Sequence, residues 1–265
     1  MAAMFDEVLL ERAPRDERSK ARGEAPVHDE CLHPVAAQLR GRGFCPLDAG
    51  SLCEALNVDL VVWRRFADCW NRLTLDRFMG DGGTYRFRRY GQFMLDRPDG
   101  PLTQLPHGPY EQSSDINPLN GGIKRYFDPL EPGFVASPFF DALVRFLAVV
   151  FDAAQRRRGA WNIRAHPYRI RASGYSEGRP TPEGMHRDGV DYVISLMVRR
   201  HNVQGGETHV TDNEGSPLFS HTLTAPMECL LEDDARTRHG VTPVHCIDER
   251  YEAYRDVLVL AYTRP

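Results

Sequence analysis

The sequence predicts a mixed α/β (α+β) fold, in which a double-stranded β-helix, the cupin-like jelly roll, is buttressed by helices from the N-terminal half. Two observations lead to this prediction. Before Trp161 apolar residues recur mainly at helical intervals, whereas after it they fall into short runs separated by Gly, Pro, Asn or Asp. Helices followed by many short strands are typical of two packed sheets with helices on one face. The predicted strands are residues 162–172, 190–199, 206–211, 218–224, 227–232, 241–247 and 256–263.

The N-terminal half supplies the predicted helices. Between His33 and Met79 apolar residues recur every three or four positions, although glycines and a proline interrupt the pattern. A clearer helix is predicted to begin at Pro138, with Ser137 as its cap, because proline suits the first helical position. Short strands are expected at residues 84–93 and 123–127.

The chain of 265 residues suits one large domain with an N-terminal extension. Residues 1–27 end in a run of charged residues without apolar periodicity, which predicts a mobile N-terminal arm. Residues 28–265 are predicted to be a single domain, with a helical part over 33–160 and jelly-roll strands mainly over 161–265.

Charge and hydropathy restrict the partners and the location. The net charge of −4 gives no reason to expect nucleic acid or an anionic membrane as a partner. No apolar run approaches the roughly 20 residues needed to span a bilayer. The charged N-terminus is unlike a secretory signal. We therefore predict a cytoplasmic protein.

A histidine and an aspartate two residues apart, His186 and Asp188, are the first candidate site residues. On an extended backbone such side chains leave the same face, so both can contact one ion. With a second histidine they form the two-histidine, one-carboxylate triad that holds non-haem iron(II) and leaves coordination positions open. His239 is the candidate for that histidine, and His209 is its rival.

Four segments carry a family resemblance. They are PEGMHRDG at 182–189, GGETHV at 205–210, HGVTPV at 239–244 and YRDVLVL at 254–260. In wording and order they resemble the bacterial 2OG-Fe dioxygenase family that includes the L-isoleucine 4-hydroxylases of free amino acids.

This resemblance, which covers roughly residues 80–265, implies Fe(II), 2-oxoglutarate and O2 as cofactors. It implies that His186, Asp188 and His239 are the iron ligands and the catalytic centre. The implied reaction is hydroxylation of a free L-amino acid or similar small metabolite, with decarboxylation of 2-oxoglutarate to succinate. A homodimer is left open.

The far carboxylate of 2-oxoglutarate is predicted to bind Arg255. Strand alternation would bury this guanidinium, which can bind a carboxylate through two parallel hydrogen bonds. Arg250 is the alternative. Thr242, and Tyr192 or Ser195, are expected to help orient the cosubstrate.

Substrate contacts are predicted in two polar segments. Arg86 and Arg88 alternate along the strand at 84–93, where they either form an exposed face or bind a substrate carboxylate. Gln112, Asn117 and Arg125 are either substrate contacts or turn-forming residues.

Two other functions stay open. One is a cupin-type metalloenzyme that does not use 2-oxoglutarate and therefore needs no cation at Arg255. The other is a non-catalytic jelly-roll binding module, in which the pairing of His186 with Asp188 is incidental.

Overall fold

The computed structural model describes residues 29–117 and 119–265, with side chains described from residue 34 onward. The mobile arm predicted at residues 1–27 therefore lies outside the described residues.

The N-terminal half contains strands as well as helices, so the prediction of a helical part over 33–160 is incomplete. Apolar runs as short as Phe44–Leu47 cannot be told from helix by periodicity, and here they pair with strands from the C-terminal half. The elements are α1 (Asp29–Arg42), β1 (Phe44–Leu47), α2 (Ala49–Leu56), α3 (Leu60–Ala67), a 3-10 helix (Asp68–Arg72), β2 (Thr74–Leu75), β3 (Arg86–Arg88), β4 (Gly91–Leu95), β5 (Leu102–Gln104), α4 (Pro132–Val135) and α5 (Pro138–Gln155).

Two strand predictions in this half need correction. The strand predicted at 84–93 is split into β3 and β4. The split occurs because Tyr90, which lies between the two strands, pairs its backbone with the segment Asp128–Leu130. The strand predicted at 123–127 is reduced to an isolated bridge between Tyr110 and Arg125.

From Trp161 onward the chain contains strands and connecting loops and no helix, as predicted. One difference concerns His239, which lies inside a strand rather than before one. The strand predicted at 241–247 is broken near Pro243, which has no N–H to donate. The strands are β6 (Trp161–Ala172), β7 (Tyr192–His201), β8 (Val203–Gly205), β9 (Thr208–Thr211), β10 (Pro217–His221), β11 (Cys229–Asp233), β12 (Arg238–Val241), β13 (Val244–Cys246) and β14 (Ala253–Thr263).

The strands form a large sheet and two small ones. The nine-stranded major sheet has the order β1-β11-β7-β14-β6-β3-β2, with β4 also paired to β6 and β5 to β4. The minor sheets are β10-β9-β12 and β13-β8. All strand pairs are antiparallel. This arrangement of a large sheet facing smaller ones, with helices on the outside, confirms the predicted jelly roll.

The main hydrophobic core lies between α5 and the outer face of the major sheet. α5 has Ser137 at its cap position, without a side-chain capping bond, and Pro138 at its first position. Its fully buried Leu147 shares the core with Leu258 and Tyr262 of β14. Covering this face with a helix leaves the opposite face of the sheet for the interior of the jelly roll.

Alternation along β14 separates core from cavity. Leu258, Leu260 and Tyr262 belong to the core under α5, and the Tyr262 hydroxyl donates to the Val144 carbonyl at 3.1 Å. Val257 and Val259 face the interior cavity instead. The strand therefore anchors the fold with one face and lines the site with the other.

Among the described residues, none of the helices is both long and apolar enough to cross a membrane.

Replacing Leu147 by alanine tests the core. We expect Leu147→Ala to lower the free energy of unfolding by about 2–5 kcal/mol, because it leaves a cavity beneath α5. Val61→Ala is the matched control, since Val61 is 51% exposed and should change stability by less than about 0.5 kcal/mol. Urea unfolding measures both. Equal effects in the two variants would contradict the packing described.

Candidate active site

A backbone pairing between two sequence-distant segments creates the site. His186 lies in the connection from β6 to β7, and His239 lies on β12. The His186 N–H donates to the His239 carbonyl at 2.9 Å, and the His239 N–H donates back to the His186 carbonyl at 3.0 Å. This bridge brings the ring centroids to 4.5 Å.

Asp188 completes the cluster. One ligand atom from each of His186, Asp188 and His239 lies within 4.8 Å of the others. The Asp188 carboxylate oxygens are 3.9 Å from Nε2 of His186 and 3.8 Å from Nε2 of His239. The structure thus brings together all three residues predicted to bind iron, with both Nε2 atoms directed at the carboxylate.

The other ring nitrogens are occupied, which orients the imidazoles. Nδ1 of His186 is 2.9 Å from the Gly184 carbonyl oxygen, and Nδ1 of His239 is 3.1 Å from Oε1 of Glu232. A hydrogen bond at Nδ1 leaves the Nε2 lone pair available for a metal. Histidine ligands in metalloproteins usually have this arrangement.

Charges within the cluster set its protonation. Burial and the neighbouring His186 lower the pKa of His239 to about 3, so its imidazole is neutral. Burial acts to lower the pKa of His186, but the carboxylates Asp188 and Glu183 outweigh it and raise that pKa above its usual range. Burial raises the pKa of Glu232 well above that of a free glutamate.

A buried aspartate holds the loop that carries Asp188. Asp234, 1% exposed, accepts the N–H groups of Asp188, Gly189 and Val190 at 2.8, 2.8 and 3.0 Å. Gly189 has a φ of +74°, a conformation natural to glycine. One carboxylate therefore satisfies three consecutive amides and fixes the backbone beside the cluster.

Arg255 lines the same cavity as the triad. It is 2% exposed, and its Nε has no hydrogen-bond partner among the described residues. Burial, together with repulsion from Arg200, lowers its pKa to about 10, so it stays charged near neutral pH. A buried guanidinium without a protein acceptor is suited to an anionic ligand.

Arg86 and Arg88 also line the cavity, so neither forms an exposed strand face. Arg86 donates from Nε to Asp76 at 2.8 Å. Arg88 donates to Nδ1 of the buried His166, and its guanidinium lies 3.7 Å from the ring centroid of Phe127.

The predicted polar contacts from the 107–128 segment meet in one place. The Gln112 side-chain oxygen accepts from Arg125 at 2.8 Å and from Asn117 at 3.2 Å, and all three line the cavity. Arg125 also lies 4.8 Å from the ring centroid of Tyr110. The three side chains therefore form one hydrogen-bonded group at the cavity.

Some predicted residues lie elsewhere. Thr242 does not line the cavity, since its hydroxyl accepts the Glu207 N–H at 2.9 Å and so supports the adjacent turn. Tyr192 stacks on Phe151 in the helix-covered core. Ser195 does line the cavity.

The two rival residues also lie away from the cavity. Arg250 is exposed and pairs with Asp248. His209 is half exposed beside Glu207.

Sequence reasoning missed three acidic residues, Glu183, Glu232 and Asp234. A usable signal existed for Glu232, because it directly follows the apolar pair Leu230-Leu231 within a predicted strand. Glu183 lies in the same motif as His186, but nothing in its spacing distinguishes it from a loop residue.

Comparison with known proteins now identifies the family. The profile described as 2OG-Fe dioxygenase matches residues 67–261. The chain belongs to the 2OG-Fe dioxygenase family. Members use Fe(II), 2-oxoglutarate and O2, and the cofactors expected from the sequence are thereby confirmed.

A curated relative and two solved structures are similar to this 2OG-Fe dioxygenase. An L-isoleucine-4-hydroxylase from Bacillus thuringiensis is 25% identical over 187 residues, which are 68% of this chain and 76% of that protein. The crystal structure of a bsmA homolog from Methylobium petroleophilum PM1 is 37% identical, covers 88% of this chain and 92% of its own, and has a TM-score of 0.80. That of IDO from Bacillus thuringiensis is 18% identical, covers 93% and 99%, and has a TM-score of 0.72.

The residues of this dioxygenase fit its cofactors. Two imidazoles with free Nε2 atoms and one carboxylate form a donor set suited to iron(II). The orphaned Nε of Arg255 supplies a cation in the same cavity for the carboxylate of 2-oxoglutarate.

Asp234 offers a test of how the metal cluster is supported. Asp234→Asn replaces one acceptor oxygen by a donor and leaves at least one of the three loop amides unpaired. We expect metal affinity about 10–100-fold weaker, measured by calorimetric titration with Mn(II). Asp233→Asn is the control, because Asp233 contacts none of these amides. An unchanged affinity in Asp234→Asn would show that the loop does not depend on this carboxylate.

Proposed function

We propose that this dioxygenase hydroxylates a free L-amino acid or a closely similar small metabolite. In this proposal His186, Asp188 and His239 hold the iron, and Arg255 binds the far carboxylate of 2-oxoglutarate. The observation that carries it is that the triad, Arg255 and further buried arginines line one cavity. The amino-acid substrate is also supported by the 25% identical L-isoleucine-4-hydroxylase.

When bound, iron(II) and 2-oxoglutarate would supply the oxidation chemistry. The reduction of O2 and the decarboxylation of 2-oxoglutarate to succinate would be coupled to oxidation of a substrate C–H bond. The protein's own contribution is positioning and exclusion of water. Arg255 is buried on β14 and keeps its charge, so it can hold one end of the cosubstrate. Apolar Val257 and Val259 line the adjacent wall, which shields the reaction from solvent.

The substrate is proposed to lie against the polar part of the cavity lining. There Arg86, Arg88 and Arg125, with Gln112 and Asn117, present cationic and amide groups that suit a substrate carboxylate. The homodimer and the cytoplasmic location stay predictions from the sequence.

Family membership favours this function over the two alternatives. An enzyme without 2-oxoglutarate would leave the buried charge of Arg255 without a role, and burial of an unpaired charge is unfavourable. A pure binding module would have no need for two imidazoles with free Nε2 atoms around one carboxylate.

An anaerobic titration tests the cofactor assignment. Iron(II) followed by 2-oxoglutarate should produce a visible metal-to-ligand charge-transfer band in the wild-type protein. His186→Ala should abolish the band because a metal ligand is lost. Arg255→Met should weaken 2-oxoglutarate binding on the order of 100-fold, since it removes a buried charged partner.

Arg250→Met is the matched control, because its guanidinium is exposed, pairs with Asp248 and does not line the cavity. It should bind 2-oxoglutarate like the wild type. A band that survives Arg255→Met at unchanged affinity would overturn the role of this arginine. Iron binding without any band would overturn the use of 2-oxoglutarate.

A further inference from the structure

Buried polar atoms without partners are concentrated at the active-site cavity. Four of the charged residues that line it each have a buried side-chain atom with no hydrogen-bond partner among the described residues. They are Arg88, Arg125, Glu183 and Arg255, the unpartnered atoms being the three Nε atoms and Oε2 of Glu183. Burying a polar atom without a hydrogen-bond partner is strongly unfavourable unless a ligand supplies the partner. These atoms therefore indicate where ligands bind.

The cofactors account for only one of these four residues. Arg255 is proposed to face 2-oxoglutarate, and the triad to face iron. Arg88, Arg125 and Glu183 then stay available for the substrate. The cavity offers the substrate two cations and one anion.

Among the described residues, neither arginine has a carboxylate partner of its own. Arg125 is 2% exposed, and no carboxylate of the described residues lies within ion-pair distance of it; its side-chain hydrogen bond goes to the neutral Gln112. Arg88 lies 3.9 Å from Asp76, but that carboxylate is already bonded by Nε and NH2 of Arg86, both at 2.8 Å. One carboxylate thus serves two guanidinium groups, and a net positive charge is left.

The two guanidinium groups share one aromatic ring. That of Arg88 lies over the Phe127 and Tyr168 rings, at 3.7 and 4.6 Å from their centroids. The Tyr110 centroid is 4.8 Å from the guanidinium of Arg125 and 5.6 Å from that of Arg88. One carboxylate would balance only one of these two buried charges, so the pair favours two anionic groups on the ligand.

Glu183 supplies the opposite charge. Its side chain is 11% exposed, and Oε1 is 3.6 Å from Nε2 of His186. A metal bound by this nitrogen leaves Glu183 without a hydrogen-bond donor, and Oε2 already has none among the described residues. A substrate ammonium would satisfy both oxygens and would hold the substrate beside the metal.

We propose that the substrate is an amino acid with a second anionic group, such as L-aspartate, L-glutamate or a close homologue. Glu183 binds its ammonium, and Arg88 and Arg125 each bind one of its anionic groups. This inference rests on the proposed amino-acid oxidation and narrows its substrate class. It departs from the aliphatic substrate named for the Bacillus relative.

The test is calorimetric binding to the anaerobic protein loaded with iron(II) and saturating 2-oxoglutarate. The ligands are L-glutamate and L-aspartate, their neutral isosteres L-glutamine and L-asparagine, and L-isoleucine. At least one acidic amino acid should bind more than about thirtyfold tighter than its amide, because the amide leaves a buried guanidinium unpaired. L-Isoleucine should bind more weakly still.

Single substitutions identify which group of the amino acid each residue binds. One of Arg88→Met and Arg125→Met should remove the preference for acid over amide, and the other should weaken both ligands. Glu183→Gln should weaken amino-acid binding more than about thirtyfold and leave the 2-oxoglutarate charge-transfer band in place. Glu177→Gln and Arg250→Met are the matched controls, since both residues form ion pairs outside the cavity.

The same measurements separate failure of the acidic substrate class from failure of the amino-acid substrate. If amides or L-isoleucine bind as tightly as the acids, the acidic class is overturned, whereas oxidation of a free amino acid stands. If both arginine variants weaken acid and amide equally, one carboxylate bridges both arginines and the proposal also falls. If the band forms but none of these amino acids binds, the amino-acid substrate itself is overturned.

Discussion

The site depends on the reciprocal backbone hydrogen bonds between His186 and His239. Side chains can converge on an ion only if their backbones are fixed at the right separation, and this bridge fixes two segments that are 53 residues apart in the sequence. Asp234 adds the second constraint, since it holds three amides of the loop that carries Asp188. The segments that carry the metal cluster are thus positioned through hydrogen bonds to their main-chain groups.

The hydrophobic core under α5 provides the stability that this arrangement requires. α5 and the aromatic residues around it bury a large apolar surface on one face of the major sheet, and β14 is shared between that core and the cavity. Burying arginines without carboxylate partners is unfavourable, and a marginally stable domain tolerates it only when packing elsewhere compensates. The buried arginines without carboxylate partners therefore lie where ligand binding is favoured at the expense of folding stability.

The sequence was most informative where short-range geometry determines the outcome. Two-residue spacing predicted that His186 and Asp188 act together, and strand alternation predicted the burial of Arg255. The helix at Pro138 followed from proline at its first position. These features depend on neighbouring residues alone.

Prediction was weaker where contacts are long-range. The arginines of β3 could have faced solvent or the cavity, because alternation does not say which face of a strand is covered. Thr242 was misplaced, since a turn formed by another strand uses its hydroxyl. Asp234 supports a loop 46 residues away in sequence, and no local pattern encodes such a partner.

One crystallographic measurement tests directly whether His186, Asp188 and His239 bind the iron and Arg255 binds 2-oxoglutarate. Crystals grown anaerobically with iron(II) and 2-oxoglutarate would be examined at the iron absorption edge. We expect one strong anomalous peak within bonding distance of His186, Asp188 and His239, with the far carboxylate of 2-oxoglutarate on Arg255. A metal bound elsewhere, or a cosubstrate that does not contact Arg255, would contradict it.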